Sequence, residues 1–122
     1  MILGIGVDSI EISRVVKAME KEHFVHRIFT EKERAEMEHA KRRGASDFAG
    51  KVVKAFGTGF AGIDACEVEI LRRESGAPYV TLYGAARKKA EEMGITDWKI
   101  SITNTKEVAT AFVIAVADDV KE

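Results

Sequence analysis

Asp8 is the first residue of the sequence whose type and position suggest chemistry. It follows the apolar run Met1–Val7 and precedes a segment with helical periodicity. A carboxylate at the end of an apolar strand is desolvated unless a positive charge or a hydrogen-bond donor meets it. Two interpretations stay open: a helix-entry residue bonded to backbone amides, and a ligand for a hard cation such as Mg2+, which combines carboxylates with substrate phosphates.

A lysine placed just before two glycines forms the second candidate, in the segment KAFGTG at residues 54–59. Gly57 and Gly59 would let backbone amides approach a phosphate, and Lys54 would add a point charge. The same pattern is also typical of a helix that ends in a loop. It is not a Walker sequence, because no Gly-Lys-Ser/Thr follows. It is not a Rossmann fingerprint either, because its glycines end a helix instead of opening one.

The third candidate is a polar turn, SITNTK at residues 101–106. Its hydroxyl, amide and ammonium groups, including those of Asn104 and Thr105, could bind a phosphate or a nucleotide. They could equally form a polar hairpin, since turns use such residues routinely. Cys66 alternates with core-facing positions, so we interpret it as a packing residue and not as a nucleophile.

A basic stripe is the clearest sign of a partner. Apolar residues recur at helical spacing after Asp8, and the basic residues fall on the opposite side of the same predicted helix. The apolar set is Ile12, Val15, Val16 and Met19, and the basic set is Arg14, Lys17 and Lys21. Such a row is often a solvated helix face, or it docks an acidic helix by charge complementarity.

The elements that must position these groups are mixed helices and strands without regular alternation, which predicts an α+β fold. Helices are predicted from Thr30 to Gly44, with Thr30 and Glu33 as a capping box, from Ser46 to Phe56, and from Gly84 to Met93. Strands are predicted at residues 1–7, 66–71, 79–83, 98–103 and 108–116. The last strand is apolar on both faces, which predicts burial on both sides, in part by another subunit.

Composition sets the remaining bounds. The chain of 122 residues is long enough for one domain, residues 1–122. Lys and Arg number 19 and Asp and Glu number 20, a net charge of -1 that gives no overall attraction to nucleic acid or anionic membranes. No segment approaches the roughly 20 apolar residues of a membrane span. A single cysteine and the absence of a signal-peptide pattern favour a cytoplasmic location.

These segments together resemble the holo-acyl-carrier-protein synthase family over nearly the whole chain. Six elements occur in the family's order, which makes the signature specific. They are GIGVD with EI and Arg14 at the start, RIFT followed by Glu33, KAFGTG, GAP (residues 76–78) with L-x-G-x-A (residues 82–86), SITNTK, and the apolar last strand.

The resemblance implies a small antiparallel sheet packed with helices, in the phosphopantetheinyl transferase-like fold, assembled as a homotrimer with coenzyme A in clefts between subunits. It implies Mg2+-dependent transfer of 4′-phosphopantetheine from coenzyme A to a serine of apo acyl carrier protein, with 3′,5′-ADP as the leaving group. Asp8 matches the family's first metal-ligating carboxylate, and Arg14 matches a contact to the acidic recognition helix of the carrier. The substrate-binding positions implied here are Lys54, Gly57, Gly59, Pro78, Asn104 and Thr105.

Two departures from the family pattern stand out. A segment like F-x-A-K-E-A, which carries a metal-ligating glutamate, is missing where Ala49-Gly50-Lys51 runs almost directly into Val52. Asn104 stands where the family usually has histidine. Three explanations compete: the sequence omits residues that exist in the molecule, the chain is a deletion variant with reduced activity, or it is an inactive relative that binds coenzyme A or carrier protein. We favour the first, because shortening a packed helix should damage the core it serves.

Overall fold

The computed structural model describes residues 1–38, 44, 47–48 and 64–118. The predicted α+β fold, with a small antiparallel sheet packed with helices, is confirmed. In chain order the elements are β1 (Ile2–Glu11), α1 (Ile12–Ala18), α2 (Glu22–Ile28), α3 (Glu31–Glu36), a 3-10 turn (Ala65–Glu67), β2 (Val68–Arg72), β3 (Pro78–Leu82), α4 (Gly84–Glu92), β4 (Asp97–Asn104) and β5 (Val108–Val116).

The apolar last strand, β5, lies at the centre of a three-stranded antiparallel sheet with the order β1-β5-β4. Alternate residues of β5 point to one face and are fully buried there, including Ala111 and Val113. They pack against Ile12 and Val15 of α1, whose apolar stripe the sequence predicted. The small side chains of β5 let the helix lie close to the sheet, which explains the core on this face.

On the opposite face of the same sheet, several apolar side chains of the described residues are exposed, so the burial of β5 on both sides, in part by another subunit, stays a prediction. Ile5, Val7 and Phe112 are 55%, 63% and 40% exposed. Val7 lies directly opposite Phe112, and Ile5 lies opposite Ile114. The sheet therefore presents a patch of apolar side chains that no described element covers.

A separate antiparallel ribbon, β2–β3, packs beside this sheet. Val68 of β2 and Ala86 of α4 form a second buried cluster together with Ala115 of β5. Leu82 of β3 and Trp98 of β4 pack against the same cluster. The ribbon thus contacts the sheet at the end where β4 begins.

Several predicted boundaries need correction. β1 runs to Glu11 and not to Val7, because its last residues pair with the start of β5. The helix predicted from Thr30 to Gly44 ends at Glu36 within the described residues, although its Thr30 capping box is confirmed. The helix α2 was not predicted. The helix predicted from Ser46 and the KAFGTG segment lie outside the described residues, apart from Asp47 and Phe48, which are helical.

Within the described ranges, the longest helix has 9 residues, and none is long and apolar enough to cross a membrane.

Candidate functional site

Asp8 lies inside β1, three residues before its end, and not at the end of a strand as predicted. Its strand partner is Ala111, whose side chain is buried against the helices, so Asp8 points to the helix-covered face of the sheet. The side chain is partly exposed. Asp8 therefore combines an ordered backbone position with access to a ligand, which is the arrangement that a binding carboxylate requires.

Asn104 projects from the same face as Asp8. It ends β4 and pairs with Ala109, whereas Asp8 pairs with Ala111, so the two residues flank β5 on neighbouring rows. Two strand spacings across the sheet and an offset of two residues along it place their Cα atoms about 12 Å apart. A phosphate-bearing ligand can span this separation, so the structure brings two of the predicted site residues to one surface.

Thr105 has a structural role in the β4–β5 turn. Its hydroxyl accepts hydrogen bonds from the backbone amides of Val108 at 3.0 Å and Glu107 at 3.3 Å. The Ile12 amide donates to the Glu107 carbonyl at 2.9 Å, which joins this turn to the start of α1. The polar-hairpin interpretation of this segment is therefore correct for Thr105, and its proposed contact with substrate stays a prediction.

A metal ion fits Asp8 only if most of its ligands come from elsewhere. Among the described residues, no group of three or more His, Cys, Asp or Glu side chains is arranged to hold a metal. The Asp8 carboxylate supplies hard oxygen donors of the kind that Mg2+ takes, usually together with phosphate oxygens and water. The residues present thus fit a cation that arrives with a phosphorylated substrate.

One of the three basic residues, Arg14, lines a groove beside α1. Arg14 and Lys17 are exposed on α1, whereas Lys21 is the residue that precedes α2 and lies beyond the end of α1, contrary to its predicted place on the first helix. A cavity of about 370 Å³ opens next to Arg14. Its lining is mainly apolar and consists of Ser9, Ile10, Glu11, Arg14, Val15, Ala18, Phe24 and Phe48.

Pro78 begins β3 and lies opposite Arg72 of β2. Contacts of the described residues place this ribbon near Trp98, six positions along β4 from Asn104. That separation corresponds to about 20 Å along a strand. The ribbon residues that pack near Trp98 are Val80 and Leu82, and Lys54, Gly57 and Gly59 lie outside the described residues.

Sequence reasoning missed a network of buried carboxylates beneath the ribbon. The alternation around Cys66 predicted a half-buried strand, but Cys66 lies in a 3-10 turn and β2 is buried on both faces. Glu69, only 3% exposed, accepts hydrogen bonds from the Thr30 hydroxyl at 2.6 Å and the Tyr83 hydroxyl at 2.8 Å. These partners satisfy the carboxylate that local periodicity assigned to solvent. The bond to Glu69 raises the pKa of the Tyr83 hydroxyl.

Asp47 is the most perturbed acid of this region. It is fully buried, and its Oδ1 lies 3.4 Å from Nη2 of Arg72. Within the described part of the chain, Asp47 Oδ2 and Arg72 Nε make no hydrogen bond. Burial raises the pKa of the Asp47 carboxyl to about 7, and the Arg72 guanidinium opposes this shift only in part.

Known proteins resemble this chain in both sequence and fold. A holo-[acyl-carrier-protein] synthase of Lachnoclostridium phytofermentans is 51% identical over 116 residues, which cover 93% of this chain and 95% of the relative. The acyl carrier protein synthase of Plasmodium yoelii, solved with ADP bound, is 29% identical with a TM-score of 0.86 and covers 98% of each chain. The holo-(acyl-carrier-protein) synthase of Bacillus anthracis, solved in complex with CoA (3′,5′-ADP), is 25% identical with a TM-score of 0.78 and covers 97% of this chain and 99% of that one.

Sequence and fold together place the chain in a class of transferases. The model of the 4′-phosphopantetheinyl transferase superfamily matches residues 4–116, nearly the whole chain. Within that superfamily, the chain belongs to the holo-acyl-carrier-protein synthase family, as the motifs of the sequence predicted. It is therefore a transferase by family.

Proposed function

We propose that this chain transfers 4′-phosphopantetheine from coenzyme A to a serine hydroxyl of an apo acyl carrier protein. The observation that carries the proposal is the 51% identity to a holo-[acyl-carrier-protein] synthase over 93% of the chain. The placement of Asp8 and Asn104 on one accessible face agrees with a phosphate-binding surface. In this proposal the chain acts in the cytoplasm and folds as one domain.

The chemistry is a phosphoryl transfer. The serine oxygen forms a bond to the pantetheine-side phosphorus of coenzyme A, the pyrophosphate P–O bond breaks, and 3′,5′-ADP leaves while the serine proton is released. Such reactions are accelerated mainly by positioning and by neutralising phosphate charge. Lys54 would contribute a positive charge, and Asn104 would donate hydrogen bonds to a phosphate or ribose oxygen.

A divalent cation belongs to the same proposal. Mg2+, when bound, would lower the charge on the pyrophosphate as a Lewis acid. Asp8 is the described residue that would hold it, with further oxygen ligands from the substrate. Because a single carboxylate binds the cation weakly without phosphate, we expect Asp8 to need coenzyme A for tight metal binding.

The carrier protein would dock on the groove beside α1. Arg14 provides a positive charge at the rim, Val15, Phe24 and Phe48 provide an apolar floor, and Lys17 is exposed on the same helix. An amphipathic acidic helix has the matching charges and apolar side chains, so both kinds of contact would act in the same orientation. Lys21 would extend the basic rim beyond α1.

A homotrimer completes the proposal. The open apolar face of the sheet, with Ile5, Val7 and Phe112, is the surface that further copies of the chain would cover. In such an assembly, the ribbon of one copy would approach the sheet of another.

Intact-mass spectrometry tests the activity. Apo carrier protein incubated with the chain, coenzyme A and Mg2+ should gain the mass of one phosphopantetheine, and Asp8→Asn should reduce the rate at least about 100-fold. An Asp118→Asn variant, which alters an exposed carboxylate near the end of the described chain, is the matched control. Absence of product with the unmodified chain would contradict the enzyme proposal.

A second candidate is a catalytically impaired relative that binds coenzyme A or carrier protein. The direct connection of Gly50 and Lys51 to Val52, without the family's glutamate segment, favours it, and so does Asn104. Asparagine cannot titrate near neutral pH as histidine does. Carrier binding without any mass gain would select this candidate, and the intact mass of the chain would show whether the segment is missing.

A further inference from the structure

The RIFTxxE element has no role in the chemistry described so far, yet its glutamate reaches another part of the fold. Glu33 is fully buried, and its Oε2 accepts a hydrogen bond from the Ile70 amide at 2.9 Å. One helical turn later, Oε1 of Glu36 accepts a hydrogen bond from the Arg72 amide at 3.2 Å. Two carboxylates of α3 therefore bind alternate amides of β2.

The register of the ribbon explains why these amides are available. On the other edge of β2, the Arg73 amide donates to the Ala77 carbonyl and the Glu67 carbonyl accepts from the Tyr83 amide. In an antiparallel pair, residues of one parity make the bonds to the partner strand, and those of the other parity point outward. Ile70 and Arg72 belong to the outward set, so the carboxylates occupy the place of a third strand.

This arrangement connects α3 to the predicted coenzyme A site. Arg72 lies directly opposite Pro78, the first residue of β3, and Ile70 lies opposite Val80. Pro78 itself lies in the outward set of β3, and the bond from the Arg73 amide to the neighbouring Ala77 carbonyl holds this end of β3 against β2. The position of Pro78 therefore depends on how β2 is held.

A third carboxylate holds the ribbon from the neighbouring position of β2. Glu69 accepts hydrogen bonds from the Thr30 hydroxyl and from the Tyr83 hydroxyl, which follows the end of β3. The ribbon is thus tied to the start of α3 through Thr30 as well as through the two glutamates. Hydrogen bonds at several separate positions restrict rotation of the ribbon as well as its translation.

We propose that Glu36, together with Glu33, is a positioning residue that sets the β2–β3 ribbon so that Pro78 contributes to coenzyme A binding. The proposal rests on the proposed function, because it gives the ribbon a substrate. It assigns to the carboxylate of Glu36 an effect on nucleotide affinity through the Arg72 amide, without contact between Glu36 and the substrate.

The experiment compares Glu36→Met, which removes the acceptor, with Glu36→Gln, which keeps a carbonyl oxygen at Oε1. Titration calorimetry with coenzyme A and Mg2+ measures affinity, and steady-state assays give kcat and the KM of the carrier protein. Hydrogen exchange monitors the Arg72 amide. Glu31→Met, an exposed position on the same helix, is the matched control, and Glu36→Ala serves as a shorter truncation if the methionine variant does not fold.

We expect Glu36→Met to weaken coenzyme A binding about tenfold, as for the loss of a hydrogen bond to a charged acceptor. The Arg72 amide should exchange faster, while kcat and the carrier KM stay within about twofold. Glu36→Gln and Glu31→Met should bind coenzyme A like the unmodified chain. A loss of coenzyme A affinity without a change in kcat or in the KM of the carrier protein separates a positioning role from a general loss of stability.

Three results would overturn the proposal. Unchanged coenzyme A affinity with faster Arg72 exchange would show that the ribbon position is irrelevant to binding. Weaker affinity with unchanged exchange would show that Glu36 acts by another route. Failure of the unmodified chain to bind coenzyme A would remove the proposed function itself, and the positioning role would fall with it.

Discussion

The carboxylate of Glu33 joins two backbone segments that are far apart in the chain. Its Oε1 accepts the Thr30 amide at 2.9 Å, and its Oε2 accepts the Ile70 amide at 2.9 Å. The first bond belongs to the capping box of α3, and the second holds β2. One side chain therefore caps the start of α3 and binds the edge of β2. Because Glu33 is buried, the loss of either hydrogen bond would be costly.

Glu33→Gln should destabilise the fold by about 2 kcal/mol, because the amide NH2 group would face one of two backbone donors and leave it unsatisfied. Urea unfolding measures the change. Glu31→Gln, on the exposed side of the same helix, should stay within about 0.5 kcal/mol of the unmodified chain. Equal stability of the two variants would contradict the role of Glu33.

Asp47 should make stability fall as pH rises. Burial raises the pKa of the Asp47 carboxyl from its ordinary value of 3.8 to about 7, so between these two pH values the folded state holds a proton that the unfolded state releases. The contribution of protonated Asp47 to the free energy of unfolding is fully present below about pH 4 and is lost progressively up to about pH 7. It reaches at most about 4 kcal/mol.

Asp47→Asn removes this titration and should flatten the stability curve. We expect the variant to be more stable relative to the unmodified chain at pH 8 than at pH 5, as measured by urea unfolding at both values. Glu31→Gln is the control for a surface carboxylate. Parallel curves for Asp47→Asn and the unmodified chain would show that Asp47 is already ionised in the fold.

Gly84 should not tolerate a side chain. Its φ is +54°, and an added Cβ would lie 3.2 Å from the carboxyl carbon of Glu67. That carboxylate is held in place by the Ala86 amide at 2.8 Å, so it cannot easily retreat. Gly84→Ala should therefore cost about 2 kcal/mol, the sum of left-handed strain and crowding.

Gly94 provides the matched control for this substitution. Its φ is +79°, but an added Cβ would meet nothing within 4 Å. Gly94→Ala should lower the free energy of unfolding by about 1 kcal/mol, because only the strain of the left-handed backbone conformation applies there. If the two alanine variants unfold at the same urea concentration, the contact with Glu67 contributes nothing.

Val7 tests the proposed homotrimer. Val7→Asp would place a charge on the exposed apolar face of the sheet. This should prevent subunits from associating through that face, because an unpaired carboxylate buried in the interface is strongly unfavourable. Sedimentation velocity should show a trimer for the unmodified chain and a monomer for the variant. Val7→Thr keeps the branched shape and should retain most of the association, and a monomeric unmodified chain at micromolar concentration would contradict the assembly.

Arg14 tests the docking groove. Arg14→Glu should weaken carrier-protein binding about tenfold or more, because it reverses a charge at the rim of the apolar groove. Coenzyme A affinity should change less than about twofold. Arg87→Glu, an equal reversal on the exposed face of α4, is the control. Equal losses of both affinities in the Arg14 variant would show that the docking face is elsewhere.

Local patterns along the chain were sufficient to predict the fold class and most of the elements near the sheet. Helical spacing from Ile12 predicted the buried face of α1, and the apolar run from Val108 predicted the central strand, because each pattern records which side meets the core. The capping box at Thr30 was predictable for the same reason: both partners lie within one helical turn. The family signature was also visible in the chain order of the motifs.

The hydrogen bonds between segments that are distant in the chain could not be predicted and are visible only in the folded structure. Glu69 alternates like a solvent-facing residue, but it is buried because Thr30 and Tyr83 reach it from other elements. Likewise, no local pattern shows that Glu33 binds the Ile70 amide or that Phe112, on the outer face of β5, is exposed. Hydrogen bonding and burial of this kind depend on which surfaces meet after folding, and spacing along the chain does not encode that geometry.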